Sequence, residues 1–190
     1  AGLLAAETLA IVGSTTGDAD ACELAARAAR FVARKQQSDA SWIYGTDSRQ
    51  AWVDNFHTAY VLRSLGAIMQ CSAPADEEFR STLLTGFKFW RDSFFLADGW
   101  PKYYHDTLYP ADAHAAATAI VTLVELQELD PEALSLAEKI VGWTIHNLRD
   151  RTGFFYYQRR RFHTVHTPFM RWTQSWMLYA LARLLEAKAL

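Results

Sequence analysis

Cysteine is scarce in this chain and badly placed for cross-linking. Only Cys22 and Cys71 occur, without CxxC or zinc-knuckle spacing, which argues against a disulfide framework and fits a reducing, cytoplasmic setting. A large excess of one charge is missing too. Lys and Arg number 19 against 21 Asp and Glu, so no global field argues for nucleic acid or an anionic membrane surface as partner. Long apolar runs are absent, since Ala113 to Ile120 and Met177 to Leu185 are too short or too interrupted to span a bilayer. No sustained alternation of apolar and polar residues exists, and only Phe154 to Gln158 with Arg161 to Val165 reads as a short ribbon. What remains is 51% hydrophobic residues over 190 positions, enough for one sizeable core and hence one domain.

What the chain does have is an internal repeat. The aromatic turns Asp39-Ala-Ser-Trp-Ile-Tyr44, Asp98-Gly-Trp-Pro-Lys-Tyr-Tyr104 and Thr152-Gly-Phe-Phe-Tyr-Tyr157 each follow one helical stretch and lead into another. Their small residues are 99 − 40 = 59 and 153 − 99 = 54 positions apart, a spacing that suits two long helices plus an ordered loop. The punctuation around them predicts seven helices. Leu3 to Val12 ends at Gly13-Ser-Thr-Thr-Gly17, and Asp18 or Asp20 caps a helix to about Gln36. Asp54 caps the next, to about Met69, and Pro74-Ala-Asp76 starts another that reaches about Phe95. Asp112 opens an Ala-rich helix to Leu129, Asp130-Pro131 one to Arg149, and Arg171 the last.

The helices after each aromatic loop carry small residues on several faces, as inner helices do, whereas Arg27, Arg30 and Arg34, or Glu132 and Lys139, mark an outer layer. The expected fold class is therefore all-α, an α,α-toroid present as a half ring of about seven helices in hairpins. Six such hairpins need roughly 330 residues. Residues 1–190 thus read as one α,α-hairpin domain of a larger toroid, completed by a missing half or by a homodimer partner. The opening Ala1-Gly-Leu-Leu-Ala-Ala-Glu7 reads as the middle of a helix, so an upstream part is expected.

The run Arg27-Ala28-x-x-Phe31-Val32-x-x-x-Gln36-x-x-x-Ala40-x-Trp42 resembles the QW repeat of terpenoid cyclases, in which a glutamine amide ties a helix end to a stacked tryptophan. Ala40 stands where that family has Gly, and the Asp-rich protonation motif of cyclases is not found. A closer resemblance is to uncharacterised bacterial toroid proteins met among polysaccharide-biosynthesis functions. It rests on Trp52-Val-Asp-Asn-Phe-His-Thr58, Asp98-Gly-Trp-Pro-Lys-Tyr-Tyr-His-Asp106, Tyr109-Pro-Ala-Asp-Ala-His114 and Met170-Arg-Trp-Thr-Gln-Ser-Trp176. That group is similar in layout to six-hairpin glycosidases, polysaccharide lyases and sugar epimerases, and the resemblance implies a saccharide-related role.

In a toroid the loops entering the inner helices meet at one mouth, so Asp54, Asn55, His57, Asp112, His114, Arg171 and Gln174 are expected to converge. His57, His114 and Gln174 take matching places in the three repeats; such imidazoles and amides either meet a substrate or hydrogen-bond loops together. Glycoside hydrolysis needs two carboxylates across a sugar, for which Asp54, Asp98, Asp106 and Asp112 are available, although Asp54 and Asp112 also suit helix capping. Uronate elimination or epimerisation instead needs a carboxylate holder and a proton-moving pair. In that reading Asn55 and Arg171 hold the carboxylate, His57 and Tyr104 move protons, and Asp106 orients His105, a residue set that resembles toroid alginate lyases.

The collar of Trp42, Trp52, Trp100 and Trp172 offers sugar-stacking surfaces, although Trp42 and Trp100, in QW-like positions, suit clamping of hairpins better, and Tyr103 and Tyr157 either bind substrate or pack under the loops. Arg159-Arg-Arg161, with His163, His166 and Arg171, forms the one basic concentration, fit for a solvated turn or an acidic polymer. Asp112-x-His114 with His57 has the ligand types for zinc, but no cysteine falls in these loops, and neither metal nor cofactor is assigned. The expected partner is a saccharide or polysaccharide. The expected activity is lyase, epimerase or hydrolase chemistry on an acidic or surface polysaccharide, with a non-catalytic saccharide-binding or scaffold module and a terpenoid-type toroid as alternatives.

Overall fold

A computed structural model describes residues 2–71 and 77–189, so the expected helix start at Pro74-Ala-Asp76 lies outside the described residues. Seven α-helices follow in order: α1 Gly2–Thr16, α2 Ala19–Ala33, α3 Asn55–Cys71, α4 Glu77–Phe94, α5 Ala113–Glu125, α6 Ala133–Leu148 and α7 Ser175–Ala189. The inner row runs α1, α3, α5, α7, each packed on the next, and α2, α4 and α6 back it from outside. This is an α,α-toroid arc. In its middle, every α5 residue from Ala113 to Val124 is buried; its alanines let neighbouring inner helices approach closely on both sides.

The repeat is written in the backbone. Ala40, Gly99 and Gly153 all have positive φ, at 69°, 89° and 113°. Each donates its N–H to the carbonyl three residues earlier, at Gln37, Leu96 and Asp150, and each of those donates to the carbonyl four residues later, at Ser41, Trp100 and Phe154. Three turns of one geometry thus join the outer to the inner helices. Gly99 has a second reason to be glycine: a Cβ there would sit 2.4 Å from the Lys139 backbone of α6.

The first turn is clamped as the Gln–Trp register implies. The Gln36 amide donates to the carbonyls of Ala40 and Thr82, and the Trp42 indole donates to Val32. Trp42 lies flush against Gly86 of α4, where an added Cβ would come within 2.5 Å of the indole. Successive hairpins are then strung together: the first N–H of α3, on Asn55, donates to Tyr103 of the next loop, and that of α5, on Ala113, to Tyr157.

Several boundaries differ from the sequence reading: α2 stops at Ala33 rather than near Gln36, α5 at Glu125 ahead of a 3-10 turn at Gln127–Leu129, and α7 begins at Ser175, behind the π-helical turn Met170–Gln174, rather than at Arg171. α1 runs through Gly13 to Thr16, because the Thr15 and Thr16 hydroxyls satisfy carbonyls one turn back and Gly13 allows α2 to approach, its Cβ position being 2.9 Å from Asp18 O and Cys22 Sγ. Asp130-Pro131 forms a turn ahead of α6 rather than its first residues; Asp130 accepts from Glu132 N–H and from the Arg91 guanidinium. The expected ribbon is a small antiparallel sheet in the order β1 (Ala111–Asp112), β2 (Gln158–Arg159), β3 (Thr164–Val165). It fastens the third loop to the start of α5. Among the described residues no helix is long and apolar enough to cross a membrane.

Candidate functional site

Asp54 ends the first aromatic loop and caps α3. One carboxylate oxygen accepts the His57 N–H at 2.9 Å, satisfying one of the free donors of a helix start. The other accepts the Trp52 indole at 3.1 Å and lies 2.8 Å from His57 Nδ1. A buried carboxylate in that position fixes the proton on Nδ1 and leaves Nε2 as the lone-pair nitrogen. Among the described residues none hydrogen-bonds Nε2, and the His57 side chain is 38% exposed over a fully buried Asp54 side chain. Tyr44 and Trp52 stack at 4.9 Å and 8°, and Tyr44 meets the His57 ring at 4.5 Å. Beside them opens a cavity of about 330 Å³ lined by Trp42, Ile43, Tyr44, Asp54, His57 and Tyr60, among others.

The start of α5 repeats the cap. Asp112 accepts the Ala115 N–H at 2.6 Å, is fully buried, and is pushed up to about 7 by burial, the Ala115 and Gln158 hydrogen bonds opposing and nearby Asp54 adding. Around these two carboxylates burial also raises the hydroxyls of Tyr103, Tyr104 and Tyr157, with the negative charges of Asp54 and Asp112 contributing at Tyr103 and Tyr104 and that of Asp112 at Tyr157.

Aligning the two caps changes one expectation. His57 answers to Ala115, since both give their N–H to the capping Asp, and His114 therefore answers to Phe56 rather than to His57. The two imidazoles consequently leave their helices in different directions, about 100° apart per residue of offset. His114 turns into an aromatic nest of Phe56, Trp172 and Trp176, with centroids at 5.0, 5.4 and 5.1 Å. Its Nε2 lies 3.0 Å from the Tyr60 hydroxyl. Burial lowers it to about 4, only partly offset by the Trp172 backbone, so it is neutral at physiological pH, and its buried Nδ1 has no hydrogen-bond partner of normal geometry. Tyr60, three residues beyond His57 and facing the same cavity, is raised to about 12, chiefly by burial, with Arg63 opposing.

The remaining expected site residues separate from this group. Asn55 is buried with its amide spent: Oδ1 accepts the Trp90 indole at 2.8 Å and Nδ2 donates to Lys102 O at 2.9 Å. It is a clasp, buried out of reach of a substrate carboxylate. Gln174 is a second clasp, bonded through both ends to the Phe155 backbone. His105 faces Phe89 and Phe94 of α4, and Asp106 is exposed with no hydrogen bond to it, so the expected Asp106–His105 pair does not form. Trp100 clamps, its indole donating to Leu108 and its ring against Trp143 and Tyr109. Arg159 lies over Trp100 and donates to Asn147. Arg171 is exposed in the π-helical turn Met170–Gln174 that leads into α7.

Trp52, Asp54, His57, Tyr103, Tyr104, Asp112, His114 and Tyr157 do gather at the mouth. Tyr44, Phe56, Tyr60 and Trp176 join them without having been singled out. The signal for Tyr60 was present, for i and i+3 share a helix face. Among the described residues no three His, Cys, Asp or Glu side chains converge as a metal site.

No protein-family model and no curated protein matches the chain by sequence. Solved structures do match in fold. A cellobiose 2-epimerase from Bacillus thermoamylovorans B4167 superposes with TM-score 0.76 at 12% identity, over 100% of this chain and 52% of its own. An unsaturated glucuronyl hydrolase specific for heparin gives 0.74 at 19%, over 99% and 59%. An inactive variant of the α-1,6-mannanase of Salegentibacter sp. HEL1_6, in complex with α-1,6-mannotetrose, gives 0.70 at 13%, over 100% and 56%. All are α,α-toroids of the six-hairpin glycosidase-like kind. The chain spans a little over half the length of each.

Proposed function

We propose that this chain forms the sugar-holding and proton-moving side of a carbohydrate-active toroid enzyme. The observation that carries this is His57: a half-exposed imidazole, oriented from behind by the buried Asp54 and standing between a stacked Tyr44–Trp52 wall and a cavity that Tyr60 also lines. A sugar seated in this cavity would meet the Tyr44 ring and His57 side by side. With Nδ1–H held by Asp54, Nε2 takes the proton from the carbon beside the carbonyl of a ring-opened reducing sugar, the electron pair passes to the carbonyl oxygen as an enediolate, and the imidazolium formed is stabilised by the Asp54 carboxylate. Tyr60, protonated throughout the physiological range and hydrogen-bonded to His114, supplies a proton from another direction.

This pairing supports epimerisation over hydrolysis. Asp54 and Asp112 are each only 2% exposed and committed to capping, so neither carboxylate meets a glycosidic bond directly, as paired-carboxylate hydrolysis requires. The acidic character of the substrate rests on the exposed Arg160 and Arg161 of the β2–β3 hairpin and on Arg171, outside the cavity, so the ring held at His57 is read as neutral and the charge as belonging to a longer chain. A saccharide-binding module is the second reading, favoured by the capping duties of both aspartates.

Incubation with reducing disaccharides and with uronate oligomers in D2O separates the two. Turnover with deuterium incorporated at the reacting carbon, lost in His57→Gln and strongly slowed in Tyr60→Phe, is the expected result. Saccharide binding by calorimetry with no exchange and no product replaces the enzyme reading with the binding module.

A further inference from the structure

All four inner helices turn polar side chains into a second cavity, farther from the mouth than His57. Arg63, Gly66, Ala67 and Gln70 line it along one face of α3, and Tyr179, Arg183 and Glu186 along one face of α7, the spacings of three, four and seven that bring residues to the same side of a helix. Glu7 of α1 and Glu125 of α5 complete the wall. The volume of about 560 Å³ exceeds the roughly 330 Å³ beside His57 and falls within the range of small-molecule sites, roughly 300–1,000 Å³. Ser64, on the wall of the His57 cavity, donates to Glu7 at 2.6 Å, and this hydrogen bond links one wall to the other.

The charges of this cavity are already matched. Arg63 meets Glu125 at two points, Nε to Oε2 at 2.6 Å and Nη2 to Oε1 at 3.1 Å, with both side chains largely buried. Arg183 pairs with Glu186 through Nη1. The one carboxylate in excess, Glu7, accepts from Ser64. An ionic ligand entering here must break an ion pair or take Glu7 from its partner, and a charge left behind without its partner is costly in a partly buried place. A hydroxyl breaks nothing, because it donates to a carboxylate lone pair and accepts from a guanidinium N–H at the same time.

The spare donors and acceptors are present. Arg63 Nη1 makes no hydrogen bond among the described residues, and Arg183 Nε is buried without a partner among them. An unmet buried donor destabilises the empty cavity, and a ligand oxygen relieves it. The Gln70 and Gln127 amides and the Tyr179 hydroxyl add uncharged polar groups, while Ile11 and Val124 supply apolar wall. Alternating donors and acceptors over an apolar surface match a ring that carries hydroxyls at its edge and C–H bonds on its face.

We propose that this cavity is a second saccharide site, which binds a neutral sugar of disaccharide size and makes or breaks no bond. It shares the ligand class of the His57 reading but none of its lining residues, so either fails without the other.

Heteronuclear NMR of the isotope-labelled chain tests it, with cellobiose, maltose and sucrose as neutral probes and glucosamine and glucuronate as charged ones. The Gly66 and Ala67 amides and Arg183 Nε–H shift with saturation on addition of a neutral disaccharide, and either charged sugar binds there at least about fivefold more weakly. Arg183→Met, at a side chain 34% exposed, weakens the neutral sugar roughly tenfold at these signals and leaves those of the Trp52 indole and the His57 ring as they were. Gln70→Ala with Gln127→Ala, both exposed, weakens it about threefold and serves should Arg183→Met fail to fold. Shifts at Gly66, Ala67 and Arg183 with a silent Trp52 and His57 support the proposal and count against the sugar reading of His57. Silence at Gly66, Ala67 and Arg183 with every neutral disaccharide, tighter binding of a charged sugar, or an affinity unchanged by the variants each overturns the proposal.

Discussion

Replacing Asn55 by alanine tests whether this residue serves the substrate or the scaffold. Its side chain is fully buried and bridges two elements, accepting from the Trp90 indole of α4 and donating to the Lys102 carbonyl of the second loop. Alanine leaves an indole N–H and a carbonyl without partners, in a place where Trp90 itself is 0% exposed. Each unsatisfied buried group costs about 1–3 kcal/mol, so the variant loses roughly 3–5 kcal/mol, including the small void. For a domain of this size that lowers the melting temperature by roughly 10 °C. Urea denaturation followed by far-UV circular dichroism, with differential scanning calorimetry, measures it. His57→Gln, two residues away but on the exposed side, is the control and loses less than about 1.5 kcal/mol. An Asn55→Ala protein with an unchanged denaturation midpoint but lost saccharide binding would refute the clasp and return Asn55 to the substrate.

The repeated turn makes equivalent positions respond with opposite sign. Gly99→Ala meets the Lys139 backbone and a φ of 89°, and loses about 2–4 kcal/mol, whereas Ala40→Gly relieves a φ of 69° and gains up to about 1 kcal/mol; equal denaturation midpoints for both would contradict the shared geometry. Asp112 has a folded value near 7 against 3.8 when unfolded, so its contribution is full below about pH 4 and is lost as pH rises through 7. Asp112→Asn keeps the cap and should gain stability relative to the parent at pH 8 but not at pH 4, in paired melting curves; a pH-independent difference argues against the buried acid. His114 has the reverse sign: lowered to about 4 from 6.5, its contribution holds above pH 6.5 and is lost as pH falls toward 4, a loss that His114→Gln should remove. Trp52→Ala, at a ring 37% exposed, should weaken saccharide affinity about tenfold with a small change in melting temperature; unchanged affinity would take the stacked wall out of the site.

Much of the site was legible where one residue has one local duty. Asp54 and Asp112 were readable as caps because capping depends only on the next three backbone N–H groups. His57 and His114 followed from their place at helix starts. What escaped is what distance along the chain conceals: Asn55 reads as a polar residue at a mouth until Trp90, 35 positions on, takes its carbonyl. His105 reads as a partner for Asp106 until α4 offers it Phe89 and Phe94.

By itself the sequence determined the hairpin repeat, the all-α toroid layout and the helix caps, because turn residues, small residues and helix periodicity act over a few positions at a time. Only the tertiary structure decided which polar groups are spent and which are free. The one-residue offset between His57 and His114 turns equal-looking imidazoles to different surroundings, one half-exposed beside a cavity and one neutral in an aromatic nest. Burial and partner choice are properties of packed helices, set by side chains dozens of positions apart, and no local pattern encodes them.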